Sequence, residues 1–298
     1  MTHLPAPFAI DGSFAVIVDC SPADTGLVEW AARLARLAHS SLRLIYPLPD
    51  PQWSAAMAAS IETNDYPSRL RHDAEQRLQD VVRSVRDIEP GIEVDSRIVE
   101  LPASEMAASV SADSSMLILG AEESGPVRDI IFGRSTTTVV KSATCPTLVW
   151  RARRDTERNE QRPVVVGVDG SDSSKRALAA AFDLANILGV ELIAVHVGAV
   201  SEADELHYAT SVDWKHLREA ERKWLQSMVD EYRSRYPSVD VQALSVGASA
   251  ARELRALSGT AQVLVVGSRG RGRLSGAVLG SVSQNLVHHA ECPVLVVH

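Results

Sequence analysis

The residues best placed to do chemistry lie in one glycine-rich, basic stretch: Gly267, Arg269, Gly270, Arg271, Gly272, Arg273 and Gly276. An apolar run, Val263-Leu264-Val265-Val266, precedes it and reads as a buried parallel strand. After it, Gly280-Ser281-Val282-Ser283 opens a segment with helical apolar spacing at Val282, Leu286 and Val287. Strand, glycine loop and helix start together suit a phosphate: glycine lets the main chain approach, and unpaired N–H groups at the helix start face the anion. The helix dipole and the arginines add positive potential. The stretch is not a Walker A loop, because no Gly-Lys-Ser/Thr follows, nor a dinucleotide fingerprint, because Ser275 stands where a third glycine is wanted. A second polar candidate, Asp169, ends the apolar run Val164-Val165-Val166-Gly167-Val168. At a strand's carboxyl end an aspartate can meet ribose, an adenine edge or a magnesium ion carried by phosphates. It can equally cap the turn Asp169-Gly170-Ser171 into the next helix.

The elements that must position these residues occur twice. Phe14 to Ser21 and Val164 to Ser171 each read as a strand ending in Asp. Alanine- and leucine-rich helices follow, Leu27 to Ala38 and Ser174 to Leu188, and then the strands Leu42 to Tyr46 and Leu192 to Val197. Next come the long charged helices Tyr66 to Asp87 and Val212 to Tyr236, and the strands Glu93 to Val99 and Val239 to Val246. Each copy ends with a short helix, a fourth strand, and a Cys-Pro before a fifth strand, at Cys145 and Cys292. Strands alternating with helices predict an α/β fold: two tandem Rossmann-like domains, each a five-stranded parallel sheet with helices on both faces. The predicted domains are 1–150 and 163–298, joined by the charged linker 151–162.

Composition limits the function classes. A net charge of −8 and 5% aromatic residues argue against a nucleic-acid partner. No apolar run approaches the roughly 20 residues that span a bilayer, and the start of the chain shows no basic-then-apolar leader. A cytoplasmic protein without membrane contact is expected. Three widely spaced cysteines suggest neither a metal site nor a disulfide set.

The spacing is also specific. Gly267, two residues, Gly270, nine residues and Gly280-Ser281 resembles the ATP-binding pattern of the universal stress protein family. With the strand ahead and Cys292 to Val297 behind, the resemblance covers Phe14 to His298. It implies tandem domains like the adenine nucleotide alpha hydrolases, paired as an internal pseudo-dimer with the fifth strands meeting, and a homodimer. It implies ATP, with magnesium, in the second copy. Gly167, Val168 and Asp169 would lie beside adenine and ribose, with Asp169 also the metal contact. Val197 would read the adenine edge with its main chain, and Val266 would flank the nucleoside. Gly267, Gly270, Gly280, Ser281, Val282 and Ser283 would surround the phosphates, the two serines adding hydroxyl donors; Ser281 also suits a helix N-cap.

The first copy departs from this pattern. Gly120 and Gly133 keep two glycines, but Glu123 falls at the second motif glycine and Arg134 where Ser or Thr is expected. Glu122, Glu123 and Asp129 reverse the charge of the loop. A degenerate, nucleotide-free site is expected there. His196, the His288-His289 pair and the set Trp214, Trp224, Met228 and Tyr232 read as packing or surface residues. The function expected is an ATP-binding stress-response regulator with little or no turnover, its output passing to a protein partner. The alternative is a slow ATPase or a nucleotidyl or phosphoryl transferase, with Asp169, magnesium and Arg269, Arg271 or Arg273 at the transferred group. RNA binding through Arg269 to Arg273 and a nucleotide-free scaffold are weaker alternatives.

Overall fold

A computed structural model describes residues 12–20, 24–49, 66–121, 135–152, 161–198, 214–247, 249–270 and 279–298. Two compact units divide between Trp150 and Arg151. In the N-terminal unit β1 is Ser13–Ile17, α1 Thr25–Leu37, β2 Ser41–Pro47, α2 Tyr66–Ile88 and β3 Val94–Val99. It continues with α3 (Ala103–Ala112), β4 (Met116–Gly120), α4 (Ser135–Ser142) and β5 (Thr147–Trp150). The C-terminal unit repeats the order with β6 (Val164–Gly167), α5 (Asp172–Leu188), β7 (Leu192–Gly198), α6 (Trp214–Arg233) and β8 (Val241–Gly247). It ends with α7 (Ala250–Ser258), β9 (Val263–Gly267), α8 (Ser281–His289) and β10 (Val294–Val297).

Both units have the predicted doubly wound sheet. Strand order is β3-β2-β1-β4-β5 in the first and β8-β7-β6-β9-β10 in the second, and every pair within a unit is parallel. One face carries α1 and α2, or α5 and α6; the other carries α3 and α4, or α7 and α8. Covered on both sides, the strands need no polar alternation, and the runs at Val164 to Val166 and Val263 to Val266 are buried throughout. Winding reverses between β1 and β4, and between β6 and β9, and that switch opens a crevice at the carboxyl ends of the strands.

The helix α5 shows how the second unit is set. Ser171 caps it by accepting the Ser174 N–H, and Gly189 ends it in the left-handed region at φ 67°. The buried Phe182 stacks on Tyr232 at 5.1 Å and on Tyr236 at 5.5 Å between centroids. Such pairs add roughly 0.5–1.5 kcal/mol each beyond burial. Of the aromatic set on α6, then, Tyr232 packs on α5 and Trp224 lies edge-on to His196. The side chain of Trp214 is outside the described residues. Cys145 and Cys292 are buried and Cys20 half-buried, all as free thiols. Among the described residues no helix is long and apolar enough to cross a membrane.

Strand registers make the two units comparable residue by residue. Phe14 pairs with Leu42 and Met116 as Val164 pairs with Leu192 and Val263. Ile17 therefore corresponds to Gly167, Pro47 to Val197 and Gly120 to Gly267. The turn after the first strand keeps the same register, since Val18 N–H donates to Ile45 O as Val168 N–H donates to Val195 O.

Candidate functional site

A cavity of about 310 Å³ lies at the carboxyl ends of β6, β7 and β9. It is at the lower end of the range for ligand sites. All of the predicted site residues line it. Gly167, Val168 and Asp169 come from the end of β6, Val197 from β7, and Val266 and Gly267 from β9. Gly270 comes from the loop, and Gly280, Ser281, Val282 and Ser283 from the start of α8. Arg271, Gly272, Arg273 and Gly276 lie outside the described residues. Ala250 and Leu254 of α7 add an apolar wall.

One end of the cavity suits an anion. Gly280 is the N-cap of α8, so Ser281 is the first helical residue rather than the cap. The N–H groups of Ser281, Val282 and Ser283 have no carbonyl one turn earlier to accept them. The N–H of Gly280 is already donated to Ser268 O at 2.9 Å. The hydroxyl of Ser283, only 2% exposed, turns to Gly280 O at 2.9 Å and Ser268 O at 3.1 Å. Ser283 thus offers a ligand its main chain, whereas the exposed Ser281 keeps its hydroxyl for one.

The glycines differ in what their missing side chains permit. A Cβ on Gly270 would lie 2.8 Å from Asp169 Oδ2, and one on Gly167 would lie 2.9 Å from Leu254 Cδ1. Gly267 serves packing: its Cβ would fall 2.7 Å from Ser173 Oγ, 2.8 Å from the Ser173 carbonyl carbon and 2.9 Å from Ser174 N. Its absence admits the first turn of α5 against β9. A Cβ on Gly280 would make only ordinary contacts, at 3.6 Å.

Asp169 takes the turn-capping role, one of the two that the sequence left open. Its Oδ1 accepts the Ser171 N–H at 2.9 Å and the Ser171 hydroxyl at 2.6 Å, closing the turn through Gly170 at φ 86°. Its Oδ2 faces Gly270 and the cavity. Among the described residues no three His, Cys, Asp or Glu side chains converge as a metal cluster. A magnesium ion fits here only in the mode that uses one carboxylate plus phosphates and water. Arg269 also lines the cavity. Burial, and then the Arg269 and Arg176 charges, hold the His298 imidazole below its ordinary range.

The opposite end of the cavity offers a strand edge. Along a strand, the N–H and C=O of one residue point to one side, and successive residues alternate. Leu192 N–H donates to Asp240 O on the β8 side, and Val195 O accepts from Val168 on the β6 side. Val197 therefore turns its N–H and C=O to the β6 side, two residues beyond the last pairing of β6 with Val195. A planar donor–acceptor edge fits that position. Beneath it, the buried His196 holds its Nδ1 2.7 Å from Val168 O and packs edge-on to Trp224 at 4.9 Å. It is a packed residue and does not line the cavity.

The N-terminal unit lacks these features at residues other than the acidic loop. Glu122, Glu123, Asp129, Gly133 and Arg134 lie outside the described residues. Where Gly167 has no side chain, the buried Ile17 carries a branched one. Where Val197 offers an N–H, Pro47 has none. Where Ser174 stands, Asp24 is 2% exposed and its carboxylate accepts the Asp19 N–H at 2.7 Å. Cys20 adopts φ 56° at the place of Gly170. Burial, then the Asp24 and Asp19 charges, push its thiol up to about 12, which disfavours the thiolate.

Sequence reasoning passed over Ser174, Ala250 and Leu254. The first was signalled by Ser171-x-x-Ser174 at the start of α5, and Leu254 by its phase on α7.

The universal stress protein family model matches residues 13–151 and 161–298. A universal stress protein of Mycobacterium tuberculosis is 30% identical over 94% of this chain and 92% of its own. One of Mycolicibacterium smegmatis is 30% identical over 94% of this chain and 95% of its own. Among solved structures, a universal stress protein from Archaeoglobus fulgidus superposes with a TM-score of 0.69 at 18% identity, covering 97% of each chain.

Proposed function

Because the chain belongs to the universal stress protein family, we propose that its C-terminal unit binds ATP, with magnesium, as a regulatory ligand that is turned over little or not at all. The observation that carries the reading is the convergence of two ends on one cavity. The main-chain edge of Val197, unclaimed among the described residues, suits an adenine edge, and the first turn of α8, likewise unclaimed among them, suits phosphate. Gly167 and Val266 lie along the nucleoside between them. The N-terminal unit, with Ile17, Asp24 and Pro47 at the matching positions, stays empty. ATP then acts by favouring one conformation or assembly through differential affinity. The assembly is a homodimer in the cytoplasm, and the signal passes to a protein partner.

The test is the nucleotide released by heat from the purified protein, quantified per chain by chromatography and followed by titration with ATP and magnesium. About one ATP per chain is expected. About two per chain overturns the empty first unit. ADP alone, with hydrolysis during preparation excluded, turns the reading to a slow ATPase. A chain that releases none and binds none on titration overturns the nucleotide reading.

A further inference from the structure

We infer that Ser173 is a positioning residue for phosphate binding: its hydroxyl latches the Arg269–Gly270 peptide so that the Gly270 N–H faces the anion. The inference rests on the ATP reading above and names the device that readies one of its donors.

The hydroxyls of Ser171 and Ser173 lie 3.2 Å apart at the start of α5 and differ in the acceptor each serves best. Ser171 Oγ donates to Asp169 Oδ1 at 2.6 Å and accepts the Ser174 N–H at 3.2 Å. It lies a longer 3.3 Å from Arg269 O. A hydroxyl has one proton, so Asp169 claims that of Ser171. Ser173 Oγ donates to Arg269 O. Ser173 is 6% exposed, and the approach exists because Gly267 lacks a side chain.

A trans peptide points its C=O and N–H in opposite directions, and the chain has no cis peptide bond among the described residues. With the Arg269 carbonyl held against α5, the Gly270 N–H points away from α5. Gly270 N lies 3.6 Å from the place a Cβ would take on Gly280, beside the first turn of α8. The latched peptide therefore aims a fourth N–H at the anion end, alongside those of Ser281, Val282 and Ser283. Ser173 does not itself line the cavity. It acts through the peptide, and a loop whose carbonyl is released is free to rotate that N–H away. In the first copy Ala23 stands at this position, without a hydroxyl.

The experiment compares the unaltered chain with Ser173→Ala by calorimetric titration with ATP and magnesium and, separately, with adenosine. The expected result is a loss of about tenfold for ATP, the scale of one hydrogen bond to a charged group. Adenosine affinity should stay within about twofold, which also shows that the variant is folded. The carbon-13 carbonyl signal of Arg269, read without ligand, should move in Ser173→Ala. Equal losses for ATP and adenosine, unchanged ATP affinity, or an unmoved Arg269 signal would each overturn the latch. An unaltered chain that binds neither ligand overturns the nucleotide reading and removes the latch with it. ATP binding that Ser173→Ala leaves intact overturns the latch alone.

Discussion

The two units fold alike and differ where a ligand would sit. Their sheets share strand order and register, and in both the turn after the first strand is tied back by a residue of the following helix start. In the C-terminal unit that tie is the neutral Ser174 hydroxyl, which accepts the Gly170 N–H at 3.0 Å. In the N-terminal unit it is the carboxylate of Asp24. Asp24 therefore satisfies the same backbone need while placing negative charge at the floor of the site. Ile17 and Pro47 are likewise sound choices for a strand end and poor ones for a nucleotide. The comparison teaches that the fold tolerates these exchanges because each residue still meets its local structural requirement. Only the requirement of the proposed nucleotide goes unmet.

The sharpest way to break the comparison is to move the first copy's residues into the second. Gly270→Glu, importing the counterpart Glu123, sets a carboxylate against Asp169. Unit charges about 4 Å apart near a protein surface interact by about 4 kcal/mol. ATP affinity should fall by about 100-fold or more with the circular dichroism spectrum unchanged, and undiminished affinity in the folded variant would sink the site. Val197→Pro imports Pro47. The Val197 N–H points to the β6 side, so the strand should tolerate proline while the adenine edge loses its donor. Adenosine and ATP should weaken alike, by about tenfold, and a loss confined to ATP would contradict the assigned orientation of the ligand.

Ser174→Asp imports Asp24 and should weaken ATP several-fold while sparing adenosine. The loss should shrink at high ionic strength; a deficit that ignores salt would mean the turn itself has moved. The smallest effect concerns Asp183, whose counterpart is Arg33. Burial raises the Asp183 carboxyl above its usual range, although the Tyr236 phenol donates to its Oδ1, and its Oδ2 has no hydrogen-bond partner among the described residues. A raised folded-state value means that the group's contribution is full below the unfolded value and is lost as pH rises through the folded one. Asp183→Asn should therefore gain up to about 1 kcal/mol at neutral pH by urea unfolding. The gain should vanish on acidification, and a gain independent of pH would refute the assignment.

Much of this molecule was legible in its sequence. The strands β4, β6 and β9 are short apolar runs ending in Gly, and buried parallel strands carry that pattern because no face needs polarity. The cavity's glycines were legible from their spacing. The reason for Gly267 was not: its proximity to Ser173 depends on how α5 packs on β9, and residue spacing carries no such distance. Ser283 was read as a hydroxyl donor, but its rotamer turns that proton into the helix turn. The exclusions at Ile17, Asp24 and Pro47 were in the sequence too. They become visible only once strand register aligns the two copies, because each is an ordinary residue for its own element.

Pro47 bears on history as well as on chemistry. On the reading offered here, the N-terminal unit is closed to adenine by a missing proton, to the nucleoside by Ile17 and to phosphate by Asp24. Reverting any one of them restores nothing that selection could act on while the other two stand. The three closures are redundant, so on that reading opening the N-terminal unit to a nucleotide takes three exchanges and not one.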